Sequence, residues 1–385
     1  MRERARGSCE RSSLPCETVK IIDPVDGSIL NKHDGKQDSS RLEVVVRGVA
    51  PQGAKVTVND VDAQMMKGGC GFYDEFTCSI ELVKQENSIV ARAEIGGRRS
   101  ADAITVLWDR NSIKRYRFST DDNILFLKDL ALNAPKYGSI FDNDYLAFWR
   151  EMHEKYGARI QFNIYYQTEG FNLSQMPDKY KQEWEENSEW MRLTFHALQN
   201  DPPNPYIGAS YQMMMHDFSL VTGEIERFAG RRLLSPFTTV HWGEATLDAC
   251  KALRDNGIKG LVGYFLVDPE IGKPIVSYYL DCDRTEYLTT HDYWKDTRED
   301  IFFIKHDLVI NLLKPADIAP TLNAIASNPH TSDLMEVMIH EQYFNRQYAY
   351  YEPDAKERVI TALEWLKGNG YRSVFYEEGF LGSPT

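Results

Sequence analysis

The chain has 385 residues and a formal net charge of −13, with 42% hydrophobic and 26% charged residues. That length is too great for one small domain and comfortable for two. The acidic balance argues against a nucleic-acid partner, which needs a Lys/Arg excess on its contact face, and no apolar run reaches the length of a membrane span.

Residues 1–16 open on a basic stretch, Met1-Arg2-Glu3-Arg4-Ala5-Arg6, with no apolar segment behind it. They read as a disordered leader rather than a signal peptide, and the chain as cytoplasmic. The six cysteines (Cys9, Cys16, Cys70, Cys78, Cys250, Cys282) lack CxxC spacing, which argues against a zinc finger. Cys70 and Cys78 are spaced either to pair across a hairpin or to stay as two thiols, the state a cytosolic protein favours.

From residue 17 to 110 short alternating runs are separated by turn residues. Leu42 to Ala50, Lys55 to Asn59, Asn87 to Ala93 and Asp102 to Leu107 are the strands. Strands this close, with no helical stretch between them, predict an antiparallel β-sandwich. The run VRGVAPQGAKVTVNDVDA resembles the paired strands of the immunoglobulin-like modules appended to bacterial carbohydrate enzymes. That resemblance implies a fold and no catalysis.

From residue 111 to 385 the rhythm becomes strand, then amphipathic helix, repeated. Strands are predicted at Tyr116 to Thr120, Ala158 to Tyr165, Met191 to Phe195, Leu234 to Val240, Gly260 to Phe265, Glu336 to Ile339 and Arg372 to Tyr376. Helices fill Asp142 to Tyr156, Ser210 to Ala229, Ala245 to Asn256, Pro315 to Asn328 and Asp354 to Gly368. Seven such units suit an α/β fold, a distorted TIM-like (β/α)7 barrel. The stretch 273–311 breaks the rhythm and reads as an inserted hairpin.

In parallel α/β barrels the working residues sit at the C-terminal ends of the strands. Here Asp121-Asp122 follow the first strand, Tyr165-Tyr166 end the second, and His196 ends the third. The fourth ends in His241-Trp242-Gly243-Glu244, the sixth in His340-Glu341-Gln342-Tyr343 and the last in Glu377-Glu378. Paired acids after a strand also serve as helix caps, and a single histidine is often structural. The repetition at strand after strand points to a site. His306-Asp307, lying in the inserted stretch, is a lesser candidate.

The segment RFSTDDNI is similar to the first motif of the polysaccharide deacetylases, a NodB-like superfamily whose strand usually ends in TFDDG. The resemblance implies that Asp121 is the general base and Asp122 a metal ligand. TFHALQND keeps the first histidine of the second motif as His196 but has Asn200 in place of the second. VHWGEATLDACKALRDNGIKGLVGY resembles the downstream half of the third motif, with His241-Trp242 where a proline and the next residue usually stand. VMIHEQYF offers His340 as the general acid, and Glu341 takes that role if it points inward. The implied centre is a divalent metal, with zinc the best match to an Asp/His/His set. Its ligands are Asp122, His196 and His241, with Asn200 in reserve. Tyr165, Tyr166, Trp242, Tyr343 and Glu378 are candidates to touch a sugar.

These residues predict a metal-dependent hydrolase that removes an N-acetyl or other acyl group from a carbohydrate. Two alternatives stay open. One is a glycosidase using two carboxylates among Asp121, Glu244, Glu341 and Glu378 without metal. The other is a carbohydrate-binding protein whose barrel has lost catalysis, for which the missing second histidine speaks.

Overall fold

The computed structural model describes residues 18–68 and 73–379. The predicted leader and Cys70 lie outside the described residues. The chain divides into two compact units, one running to Ser112 and including Tyr293–Arg298, the other made of Ile113–Asp292 and Glu299–Gly379.

In the first unit the period-two alternation of apolar residues builds two sheets over one core. Leu42–Pro51 lies antiparallel to Tyr73–Leu82 in unbroken register from Leu42↔Leu82 to Pro51↔Tyr73. Glu86–Ile95 and Arg98–Trp108 form the longest pair of the second sheet. Leu42, Val44, Val46, Phe76, Ile80, Ile89, Ala91 and Val106 meet in the core between them. Tyr73–Leu82 was not among the expected strands, although Phe76, Cys78, Ile80 and Leu82 alternate on its buried face. Cys78 is a free, buried thiol.

The second unit is mixed α/β with parallel strands. We label its strands β1 (Arg115–Asn123), β2 (Ile160–Tyr165), β3 (Met191–Ala197), β4 (Phe237–Thr238), β5 (Gly260–Gly263), β6 (Ile301–Lys305), β7 (Leu308–Val309), β8 (Leu334–His340) and β9 (Arg372–Ser373). One sheet runs β3-β2-β1-β8-β7 with β9 beside β1, and another contains β4, β5 and β6 in that order. The pairings of β4 with β5 and of β5 with β6 are parallel, as are those of the first sheet. Past β3, Leu193 bridges Leu234, and Ser235 N donates to Leu193 O at 3.0 Å. Between β6 and β7, His306 N donates to Gly263 O and Asp307 N to Glu336 O.

The alternation in this unit is inverted relative to a half-exposed sheet. Phe118 of β1 and Phe162 of β2 reach the helix Asp144–Tyr156 and pack against Trp149. Their neighbours Arg117, Ser119 and Asp121, and Gln161, Asn163 and Tyr165, take the opposite face and are also buried. Sheets covered on both sides bury both sets, so the inner polar residues have to satisfy one another.

Helix limits follow the local chemistry. Asn143 caps Asp144–Tyr156 by accepting from Tyr145 N and Leu146 N, and Ser210 and Thr246 cap Tyr211–Phe228 and Leu247–Asp255. Gly257 and Gly370 take the left-handed conformation just past their helices.

Two expectations need correction. The stretch 273–311 is not an inserted hairpin: Pro274–Ile275 pairs with Leu266–Val267, Cys282–Thr290 is a helix, and β6 is a parallel neighbour of β5. The interruption came from Tyr293–Arg298, which groups with the first unit, where Trp294 Nε1 donates to Asp26 O at 2.6 Å. The last strand is also shorter than expected, and Tyr376–Gly379 is a helical turn. No helix among the described residues is long and apolar enough to cross a membrane.

Candidate metal centre

Two consecutive residues of a regular strand face opposite ways. Asp121 and Asp122 escape that rule because the β1–β2 register slips between Thr120 and Asn123, and because Asp122 takes a φ of 61°. Asp tolerates this left-handed conformation better than most residues. A second slip sits opposite: Ile164 pairs with Phe195, but Tyr165 pairs with Ala197, so His196 is passed over. Such irregularities re-aim side chains at strand ends.

The result brings one carboxylate and two imidazoles together. Asp122, His196 and His241 are all buried, each offering a donor atom within 4.8 Å of the others. Asp122 Oδ1 lies 3.1 Å from His196 Nε2 and 3.3 Å from His241 Nδ1, and the two imidazole nitrogens are 3.3 Å apart. Metal–ligand bonds of about 2.0–2.2 Å at a tetrahedral angle place neighbouring donors about 3.3 Å apart, so the donor set fits zinc.

The far nitrogens support the same reading. His196 Nδ1 meets Thr239 O at 2.5 Å, and His241 Nε2 meets Asn200 O at 3.1 Å. Backbone carbonyls accept, so these nitrogens carry the protons, and the other nitrogen of each ring turns its lone pair toward Asp122. Lone pairs and a carboxylate repel unless a proton or a metal cation sits among them. Among the protein's own groups a proton takes that place, carried by an imidazole toward Asp122. Burial opposes a charge on Asp122, yet His340 and the hydrogen bonds from His196 and His241 hold it well below the usual carboxylate range. Burial likewise opposes a charge on His196, but Asp121 and Asp122 outweigh it and raise its affinity for a proton.

Around this core, Gln342 Nε2 donates to Asp122 Oδ2 at 2.7 Å and fixes the plane of the carboxylate. His340 Nε2 is 4.0 Å from the same oxygen, and its Nδ1 is 2.9 Å from Asn311 Oδ1. Asn163 donates to Asp121 Oδ1. The Tyr165 hydroxyl donates to Asp122 Oδ1, and the tyrosine is buried rather than displayed. Asn200 joins through its backbone carbonyl, and its side-chain oxygen is 3.4 Å from the Tyr165 hydroxyl.

A cleft of about 710 Å³ opens over Asp122 and Tyr165. Gln167, Gln199, Asn200, Gln342, Asn345 and Gln347 give it six carboxamides, Glu169 and Asp201 add acids, and no Lys or Arg among the described residues lines it.

Other expected residues fall elsewhere. Glu341 is engaged elsewhere: its oxygens accept from Ile124 N, Leu125 N and Phe126 N at 2.7, 2.8 and 2.6 Å. The helix Leu125–Asn133 has Ile124 at its cap position and no side-chain cap of its own. Glu341 therefore satisfies the free amides of that helix, while burial pushes its carboxyl up to about 7 against their pull. Glu244 Oε1 accepts from Val276 N at 3.0 Å. Trp242 is 52% exposed beside His241, with a φ of 67°. Tyr343 is half-buried, its ring near His340 and Tyr348, and Tyr166 is half-buried outside the residues lining the cleft. Glu377 accepts from Arg192 Nε at 2.8 Å, and the side chain of Glu378 lies outside the described ones.

Gln342, Asn163 and Asn311 were not singled out from sequence. The first two carry a signal, since Gln342 stands two residues past His340 and Asn163 alternates with Gln161 and Tyr165 along β2.

No family model matches the sequence, and no curated protein matches it. Among solved structures, an endo-β-1,4-mannanase from Thermotoga petrophila shares 16% identity over 24% of this chain and 19% of its own, with a TM-score of 0.17. A putative α-galactosidase from Bacteroides fragilis shares 9% identity over 91% of this chain and 79% of its own, with a TM-score of 0.25. Neither likeness is close enough to assign a fold or an activity.

Proposed function

We propose that the chain is a metal-dependent hydrolase acting on a carbohydrate, with removal of an acyl group from the sugar as its reaction. The carrying observation is the set Asp122–His196–His241, at tetrahedral donor spacing with both distal imidazole nitrogens anchored on backbone carbonyls. We read the two parallel sheets as one seven-stranded barrel, with β6 and β7 as a single strand broken at His306 and β9 outside the ring, a reading supported by the Leu193–Leu234 bridge and the bonds flanking His306. The first unit we read as an immunoglobulin-like module.

Asp122, His196 and His241 would hold the ion. A bound divalent metal polarises a carbonyl and lowers the pKa of water. Asp121, held through Oδ1 by Asn163, accepts the proton of the attacking water. His340, oriented by Asn311, gives a proton to the leaving amine. The carboxamide cleft suits a polyhydroxylated ligand, because each amide both donates and accepts.

A second reading is a glycoside hydrolase, for which Asp122, Glu169 and Asp201 supply carboxylates at the cleft. The names of the two solved structures carry that activity, and the likeness adds no weight. Turnover of acetylated and of unmodified oligosaccharides, with and without chelator, separates the two. Release of acetate that stops with chelator and with Asp122→Ala, the unfolding transition being retained, is the expected result. Cleavage of a glycosidic bond that survives chelation rejects the metal-dependent reading.

A further inference from the structure

Tyr165 is the residue whose place the proposed chemistry does not explain. It ends β2 on the inner face, 2% exposed, and its ring centroid is 5.2 Å from those of both His196 and His241. Its hydroxyl meets the candidate ligands beside the cleft that Tyr165 lines. It donates to Asp122 Oδ1 and lies 2.9 Å from His241 Nδ1, the two atoms that the metal reading already uses.

Donors bound to one ion at about 2.0–2.2 Å are spaced about 2.9 Å at right angles and about 3.3 Å at the tetrahedral angle. The 2.9 Å from Tyr165 to His241 Nδ1 falls in that range, alongside the separations of the triad, while the closer contact from the hydroxyl to Asp122 Oδ1 has to open as an ion enters. The slip that passes over His196 opposite Tyr165 is what brings both side chains to the same point. A substrate-contacting tyrosine has no need of this placement. A ligand does.

We infer that Tyr165 is a fourth protein ligand of the metal centre, an inference that rests on the metal reading. On binding, the hydroxyl gives up its O–H···Oδ1 bond to Asp122, an oxygen–metal bond forms, and the displaced proton leaves to water. The ligand set is then two imidazoles, a carboxylate and a phenolate oxygen, which suits ferric iron as well as zinc, and a zinc ion so held takes the attacking water as a fifth ligand.

Ferric iron is the probe, because a tyrosine bound to it gives a visible charge-transfer band that imidazole and carboxylate do not. The full-length chain, purified metal-free and loaded with ferric iron from a weak chelate, is expected to become coloured, with one iron per chain. Tyr165→Phe keeps the ring, and is expected to lose the band and to bind zinc at least about tenfold more weakly. Tyr165→His restores a donor, and is expected to recover much of the zinc affinity without the colour. Wild type that binds one ion without colour, with Tyr165→Phe binding zinc equally well, overturns the inference and leaves the metal reading standing. Wild type that binds no ion overturns both.

Discussion

The parallel-stranded unit buries two polar clusters, and they are built in opposite ways. At the C-terminal ends of the strands, Asp122, His196 and His241 turn lone pairs and negative charge toward one point. Earlier along the same strands, Arg117 of β1 and Glu336 of β8 form an ion pair at 2.9 Å, both side chains at most 1% exposed. Ser119 and Tyr376 donate to the same glutamate, and His306 Nδ1 is 3.7 Å away. This deeper cluster sets a cation directly against its carboxylate. The upper one does not, and it lies under the cleft. Burial of polar groups alone is thus a poor guide to a site; an unbalanced set of convergent donors is a better one.

The contrast can be broken from either side. The largest expected effect is in the deeper cluster. Glu336→Ala leaves a buried guanidinium without its partner, which is expected to cost about 3–5 kcal/mol in denaturant unfolding. The fraction that stays folded should keep its zinc stoichiometry. If it loses zinc instead, the two clusters are one functional unit.

A smaller effect is expected at the edge of the upper cluster. Gln342→Leu removes the donor that orients Asp122 and should weaken zinc binding about 10-fold by calorimetric titration, with unfolding unchanged. Unchanged affinity would mean that the orientation of Asp122 is set elsewhere.

A further effect is a slope with pH. Burial pushes Glu336 up from an ordinary 4.5 to about 7, against the opposing pull of Arg117 and Tyr376. The folded state therefore holds this proton more tightly than the unfolded chain does. Its contribution to stability is complete below about 4.5 and is lost as pH rises through about 7, at no more than about 1.4 kcal/mol per pH unit. Glu336→Gln should flatten that part of the stability profile. A profile unchanged by the substitution would place the charge balance of the lower cluster elsewhere.

Much of this was legible in the sequence because it is periodic. Helix caps at Ser210 and Thr246, the glycines past the helices, and the alternation of the first unit's strands are local signals. Asp122, His196 and His241 stood out because each follows a strand, where a parallel fold brings distant residues together. What stayed hidden depends on long-range partners. Glu341 reads as a candidate acid until the helix starting at Leu125 is seen to lack a cap of its own. The parallel role of Ile301–Lys305 was obscured by Tyr293–Arg298, which belongs with the other unit. The position of Tyr165 depends on a register slip that no pattern in β2 announces.

Whether the upper cluster holds a metal is tested most directly by metal analysis of the purified chain combined with an anomalous-scattering map. One divalent ion per chain, with its anomalous peak bonded to Asp122 Oδ1, His196 Nε2 and His241 Nδ1, is the predicted result. A protein that takes up no ion from excess zinc, or an ion bound away from these three atoms, would contradict it.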